Sequence, residues 1–247
     1  MGTKMIGFLG GDKYDILLYL SKILNRLNKK VLLVDYSENR ALTYSIPSVL
    51  LEQPIYTVYK NSNKAYEEAV RNTESISYQE IDFLFEPKYE ELEALEEQYD
   101  VILIDFGYQV FSKFLSRCEE IFLCLDPKLH HIIQLKPLAK ISTDFKDHIH
   151  LIFRQVYDCK INVSFVCEEL GMEFPKDHIY TYYEETLDMK YCIDSQYNHV
   201  YHFMKISKGL KECLMYLIRT MYPDLSYRDL KSAYRIARTG RRKVTIS

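Results

Sequence analysis

Short apolar runs alternate with helical patterns along the first 40 residues. Residues 4–10 (KMIGFLG) have the length and composition of a buried strand. Residues 13–28 follow with apolar side chains spaced three and four positions apart, which predicts an amphipathic helix. Residues 30–36 form a second apolar run that leads into Asp35. Strands without polar alternation are typical of a parallel sheet that helices cover on both faces.

The same alternation continues through most of the chain. A third strand, 99–107, leads into Asp105. The pattern predicts further strands over 119–127, 148–156 and 161–166, and helices over Glu90–Gln98, 129–140 and 203–222. Residues 41–85 contain Pro47 and Pro54 and show no clear pattern. The predicted fold class is therefore α/β, a mostly parallel sheet with helices on both faces, within one domain over 1–224.

Residues 225–247 are predicted to form a separate basic helix and tail. Ser226 followed by Asp229 has the spacing of a capping box, and Gly240 stands where a C-terminal cap would. Tyr227, Leu230, Tyr234 and Ala237 make a narrow apolar stripe. Around this stripe and beyond it are seven basic residues: Arg228, Lys231, Arg235, Arg238, Arg241, Arg242 and Lys243.

The net charge of −3 conceals an uneven distribution. The segment 225–247 carries +6, which leaves −9 for residues 1–224. A basic amphipathic helix binds an anionic membrane, a nucleic acid or an acidic protein, or it folds back on its own acidic body. From the sequence we expect a contact with a partner protein or a membrane surface, ahead of folding back, and rank nucleic acid lower.

The composition excludes several classes of protein. No stretch reaches 18 consecutive apolar residues, so no membrane-spanning helix is predicted. Six cysteines without a Cys-x-x-Cys pair are typical of reduced thiols in the cytosol, and we expect no metal site. The expected location is cytoplasmic, with peripheral contact on the inner face of the membrane as an option.

The order of strands, helices and strand-end aspartates over about residues 3–140 resembles the ParA/MinD group of P-loop ATPases. In that group the first strand enters a Gly- and Lys-rich phosphate loop, the second ends in V-D-x-D-P and a later strand ends in I-D-T-P. Here the second strand ends in VDYSE and the later one in IDFG. Some members of the TadZ/CpaE kind, which localise pili, also have altered nucleotide loops.

The phosphate loop departs from the pattern of the group. A Walker A loop has the form G-x-x-x-x-G-K-[ST], since successive backbone N–H groups must surround a phosphate. Here Gly10 and Gly11 lead directly to Asp12, Lys13 and Tyr14, four or five residues short. Placing Lys13 on the phosphate lysine sets Asp12 on the preceding glycine, where its carboxylate would repel phosphate. The predicted nucleotide site is therefore vestigial, and Lys13 is expected to be a solvated residue of the first helical turn.

The strand-end carboxylates leave two interpretations open. Asp35 and Asp105 either bind Mg²⁺ through water or cap the loops that follow their strands. The second carboxylate of the family pattern is replaced by Ser37. We also expect Asp12 or Asp15 to cap the helix, where it would take the N–H groups that a phosphate needs.

Three functions are left open, of which the resemblance implies the first two and the basic tail indicates the third. The first is a scaffold that binds no cofactor, hydrolyses no ATP and positions a pilus, secretion, division or partition apparatus by binding a protein. The second is an active ATPase that binds Mg-ATP through Lys13, Asp35 and Asp105. The third is a module that binds nucleic acid or a membrane surface through its basic tail. Hydrolysing members of the group dimerise across the nucleotide, so a homodimer is one expected assembly.

Overall fold

A single sheet forms the centre of the protein. The computed structural model describes residues 2–47, 75–141, 146–183, 185–201 and 206–239. Within these ranges the strands are β1 Lys4–Gly10, β2 Val31–Asp35, β3 Ile76–Tyr78, β4 Ile81–Phe85, β5 Val101–Asp105, β6 Glu120–Leu125, β7 Ile149–Phe153 and β8 Ile179–Thr181. Their order is β3-β4-β2-β5-β1-β6-β7-β8. All neighbours are parallel except β3 and β4, which form an antiparallel pair.

Helices cover both faces of this sheet. In chain order they are α1 Tyr14–Arg26, α2 Tyr89–Glu96, α3 Leu129–Gln134, α4 Leu138–Ile141, α5 Val163–Leu170, α6 Thr186–Asn198, α7 Lys208–Met221 and α8 Tyr227–Thr239. Apolar side chains of α1, α7 and α8 pack on one face. Those of α2, α3, α4 and α5 pack on the other. The predicted fold class is confirmed.

Burial of both faces explains the apolar runs in the sequence. In β1, Ile6 and Phe8 point into the layer under α1, while Met5 and Leu9 point into the opposite layer. All four side chains are at most 2% exposed. Successive strand residues face opposite sides of a sheet, so a strand with no solvated face has no polar alternation.

Two of the predicted elements are wrong. Residues 161–166, predicted as a strand, begin α5 instead, with the Asn162 side chain accepting a hydrogen bond from Phe165 N at 3.0 Å. This is a normal N-cap, and Gly171 ends the helix in the left-handed conformation. The single helix predicted over 129–140 consists of two short helices, because Pro137 interrupts it before α4.

The sequence did not predict β3, β4, β8 or α6. The first two lie within residues 41–85, and β4 extends the sheet by pairing in parallel with β2. Residues 48–74 lie outside the described residues. The helix predicted from residue 203 begins at Lys208, where Ser207 Oγ accepts a hydrogen bond from Leu210 N.

Helix α8 folds back on the body of the protein. Its predicted capping bond is present, since Asp229 N donates to Ser226 Oγ at 3.1 Å. Buried apolar side chains of α8, among them Leu230 and Tyr234, join the core that contains α1. This corrects the expected outward contact for the apolar face of α8, although Tyr227 stays exposed. The domain division after residue 224 stays a prediction.

Replacing Leu230 with Ala tests the packing of α8. Leu230 is fully buried, so we expect the free energy of unfolding to fall by about 2–5 kcal/mol. Arg228→Ala, an exposed position on the same helix, is the control and should change stability by less than about 0.5 kcal/mol. Urea unfolding followed by circular dichroism measures both variants. Equally small effects would show that α8 is not packed on the body.

Candidate functional site

The predicted strand-end residues meet at the carboxyl edge of the sheet. Asp35 of β2 pairs in register with Asp105 of β5. Gly10, the last residue of β1, is paired with Cys124 of β6. In open α/β sheets this edge is where ligands bind, near a reversal of strand order. The topology therefore places the candidate residues together, as the sequence predicts.

The connection from β1 to α1 is only three residues long, from Gly11 to Lys13. Gly10 has a φ of +106°, and a Cβ there would lie 2.0 Å from Cys124 O. Gly10 N donates to Gly107 O at 2.7 Å, and Gly11 N donates to Cys124 O at 3.2 Å. These two N–H groups are bound to the protein's own carbonyls and are not directed toward a phosphate.

Lys13 is buried, with 2% of its surface exposed, so the prediction of a solvated lysine is wrong. Its Nζ lies 2.6 Å from Asp105 Oδ1. The same ammonium donates to Gly10 O at 2.9 Å, and Gly11 O lies 3.4 Å away. An ammonium has three donors, and here it has three acceptors within reach. The lysine is therefore turned back on its own loop.

Both strand-end carboxylates cap the loops that follow them. Asp105 Oδ1 accepts a hydrogen bond from Gly107 N at 2.9 Å. Asp35 Oδ1 accepts from Ser37 N at 2.9 Å and from Ser37 Oγ at 2.5 Å, while Oδ2 accepts from Leu42 N at 3.2 Å. The loop-capping interpretation thus has direct contacts. A role of these carboxylates in Mg²⁺ binding stays a prediction.

Asp35 carries its charge at a cost. Burial raises the pKa of this carboxyl to about 6, repulsion from Asp105 adds to the shift, and hydrogen bonds from Ser37 oppose it. A carboxyl whose pKa is higher in the folded state than in the unfolded state destabilises the fold above that pKa. The penalty therefore applies at neutral pH and is relieved as the pH falls through 6. The ammonium of Lys13 lowers the pKa and so offsets part of this cost.

The start of α1 differs from the prediction. The N-cap residue is Lys13, and within the described segment neither it nor Asp12 caps the helix with its side chain. Asp12 is exposed. Asp15 forms a two-point ion pair with Arg154, with both N–O distances at 3.0 Å. Arg154 Nη1 also donates to Asp12 O at 2.6 Å, so the guanidinium anchors the beginning of the helix.

Two further side chains cover Gly11. A Cβ on this glycine would lie 3.1 Å from both His131 Nδ1 and Tyr108 Oη. His131 is fixed by Asp126, whose Oδ1 lies 2.7 Å from Nδ1. The sequence did not indicate these two residues, because the loop after β5 and helix α3 bring them over Gly11 only in the folded chain. Together they occupy space above the short connection.

No metal site is evident in the described part of the chain. Groups of three or more His, Cys, Asp or Glu side chains arranged to hold an ion are absent among these residues. Asp35 and Asp105 both accept hydrogen bonds from nearby loops, and Lys13 supplies the positive charge beside Asp105.

The basic face of α8 is open. Arg228, Lys231, Arg235 and Arg238 are exposed and line a shallow groove together with Lys211 of α7. Arg241, Arg242 and Lys243 lie outside the described residues. None of the described helices combines the length and the apolar composition needed to cross a membrane. Most of the residues that line this groove are basic.

Several solved structures are similar to this chain. No protein-family description matches the chain, and no curated protein matches it. The MinC:MinD cell division complex of Aquifex aeolicus has a TM-score of 0.61 and 15% identity, over 91% of this chain and 98% of that one. A ParA family ATPase from Chlorobium tepidum has a TM-score of 0.53 and 15% identity, over 96% and 98%. The pNOB8 ParA bound to nonspecific DNA has a TM-score of 0.56 and 15% identity, over 90% and 100%.

These similarities extend over nearly the whole of each chain. The protein therefore has the ParA/MinD fold, and the resemblance predicted from the strand endings is confirmed at the level of the fold. In this chain the short β1–α1 loop lies at the carboxyl edge of the sheet.

Replacing Lys13 with Met tests the buried ion pair. The change leaves the buried Asp105 carboxylate uncompensated, so we expect a loss of about 3–5 kcal/mol of unfolding free energy. Lys208→Met, at an exposed lysine of α7, is the control and should be nearly neutral. Urea unfolding measures both, and the double variant Lys13→Met/Asp105→Asn should recover part of the loss. An unchanged midpoint for Lys13→Met would show that the pair contributes little.

Proposed function

We propose that this protein is a scaffold with the ParA/MinD fold that does not hydrolyse ATP. It positions or assembles a cellular machine, such as a pilus, secretion, division or partition apparatus, through contacts with proteins. The observation that carries the proposal is the engagement of Lys13 by Asp105 and by its own loop carbonyls. Lys13, the residue that would bind a phosphate, is already paired with the carboxylate of Asp105.

Nucleotide binding would have to undo several contacts. Moving Lys13 toward a phosphate breaks a buried ion pair, which costs about 3–5 kcal/mol in typical proteins. Gly10 N and Gly11 N would have to leave the carbonyls that they bind. His131 and Tyr108 lie over Gly11, and Asp12 adds negative charge beside it. These costs support a protein that works without a nucleotide.

The structural neighbours support a protein partner. One of them is a MinD in complex with MinC, a pair of cell division proteins. The present chain has the same fold and an acidic body, with a charge of −9 over residues 1–224. We infer that its function also depends on a bound protein, and that no cofactor is needed.

Isothermal titration with ATP and with ADP, each with Mg²⁺, tests this function. We expect neither binding heat nor a thermal shift at millimolar nucleotide, because Lys13 is occupied by Asp105. Micromolar binding that Lys13→Met removes would contradict the proposal and favour the alternative, an ATPase with a short loop. ATP hydrolysis that Asp105→Ala abolishes would favour the same alternative.

A specific observation favours nucleic acid as a second candidate ligand. Arg228, Lys231, Arg235 and Arg238 lie three and four residues apart on the open face of α8. Like charges at this spacing repel one another, and a polyanion would relieve the repulsion. A neighbour with the same fold is a ParA bound to nonspecific DNA. Binding of phosphates along this face would not depend on the β1–α1 loop.

Reversing two of these charges tests DNA binding. We expect Arg235→Glu/Arg238→Glu to weaken binding to duplex DNA and to reduce its salt dependence, by about one unit of slope for each phosphate that the protein no longer neutralises. Lys113→Glu/Lys160→Glu makes the same change in net charge at exposed lysines elsewhere and is the control. Fluorescence anisotropy over a salt series measures both variants. Equal weakening by the two pairs would remove this candidate.

A further inference from the structure

Helix α6 presents apolar side chains to solvent. Met189, Ile193 and Tyr197 are 46%, 59% and 84% exposed, respectively. Residues four positions apart lie along one side of a helix, so these three form a continuous line. We call this line the α6 outer face. Much of the exposed surface of α6 is therefore apolar, and Lys190 is exposed beside it.

The opposite side of α6 is fixed to the body, which sets the direction of the outer face. Asp188 Oδ1 accepts a hydrogen bond from Ser207 N at 2.7 Å, and Ser195 is buried. Cys192 Sγ lies 2.8 Å from Tyr14 Oη, at the start of α1. Helix α6 is thus anchored through polar groups, and it leaves much of its apolar surface uncovered.

Other exposed apolar residues lie on α6 or close to it. Leu187 and Val200 lie within or just after α6 and are 42% and 44% exposed. Tyr44 is 64% exposed and belongs to the turn Thr43–Ser45, which contacts α6. Single exposed apolar residues need no explanation, whereas a contiguous group marks an interaction surface. Tyrosines are also enriched in protein interfaces.

We propose that the α6 outer face is the interface between two copies of this chain, paired as antiparallel helices around a two-fold axis. In this arrangement Ile193 meets Ile193 of the second copy at the axis. Met189 then lies against Tyr197 of the second copy, and the reverse contact forms symmetrically. The sequence of the face is thus complementary to itself, as an isologous interface requires.

Charged residues beside the apolar line of α6 are also complementary to the same residues of a second copy. Lys190 and Asp194 lie on the same side of the apolar line, and neither has an ion-pair partner in the described part of the chain. Antiparallel pairing brings the same flanks of two helices together. Lys190 of each copy therefore approaches Asp194 of the other, which gives two interfacial ion pairs. This charge complementarity selects a second copy as the occupant of the face.

The inference deepens the proposed scaffold function, on which it rests, by naming one protein partner. The apolar line itself contains no residue of the short β1–α1 loop. A dimer formed through it needs no nucleotide, and it can be tested separately from nucleotide binding. Dimerisation and nucleotide binding are therefore two independent measurements.

Sedimentation equilibrium of the full chain without nucleotide is the first test. We expect a dimer for the wild type and a monomer for Ile193→Glu, because a carboxylate would be buried at the two-fold axis. Phe111→Glu is the matched control, since Phe111 is 75% exposed elsewhere, and it should remain a dimer. Circular dichroism should show that all three proteins are folded. A wild type that stays monomeric at about 100 μM, or a dimeric Ile193→Glu, would overturn the inference.

A charge exchange tests the antiparallel arrangement itself. Lys190→Glu and Asp194→Lys should each weaken dimerisation about fivefold, and the double variant should restore it, because both ion pairs re-form with reversed polarity. Failure of the double variant to recover would overturn this pairing. Nucleotide binding by an intact dimer would contradict the nucleotide-free scaffold and leave the interface standing. A monomer that binds no nucleotide would contradict only the interface.

Discussion

The buried ion pair between Lys13 and Asp105 is the contact on which the carboxyl edge of the sheet depends. Two aspartates end adjacent parallel strands in register, and their mutual repulsion needs a cation within the protein. Lys13 provides it and at the same time ties the β1–α1 connection to β5. Helix α1 can begin after a connection of only three residues because Lys13 Nζ, Gly10 N and Gly11 N all bind to groups of the protein itself. The same contacts of Lys13 therefore close the β1–α1 loop and offset the negative charge of the carboxylates.

The sequence predicts those features that depend on local pattern. The central strands are recognisable because both faces of the sheet are buried, and their parallel order brings Asp35 and Asp105 to one edge. The burial of Lys13 could not be predicted in this way. Its partner Asp105 belongs to β5, and nothing in the sequence near residue 13 indicates burial. Arg154 and Asp15 are likewise 139 positions apart. The residues 161–166 mislead because they have the composition of a strand, whereas a cap at Asn162 begins a helix there.

Helices α6 and α8 show what an amphipathic sequence pattern can predict and what it cannot. In α8 the apolar stripe is distinct from the basic stripe, so the helix could be predicted, and Leu230 and Tyr234 pack on the body. What the pattern could not show is the surface on which that stripe lies. In α6, apolar residues such as Leu187 and Cys192 lie outside the line of Met189, Ile193 and Tyr197, so no single apolar stripe stands out in the sequence. Polar groups such as Asp188 hold the helix in place. An apolar residue in the sequence therefore does not indicate by itself whether it faces the core.

The close approach of Gly10 to Cys124 O limits the changes that the β1–α1 loop can accept. A Walker A loop is several residues longer, so exchanging side chains one at a time cannot produce one here. Inserted residues would have to move the start of α1, and with it Asp15 and its bond to Arg154. Each partial step would break packed contacts before any phosphate could bind. The contacts around the short connection therefore hold its length, and lengthening it would require several coordinated changes.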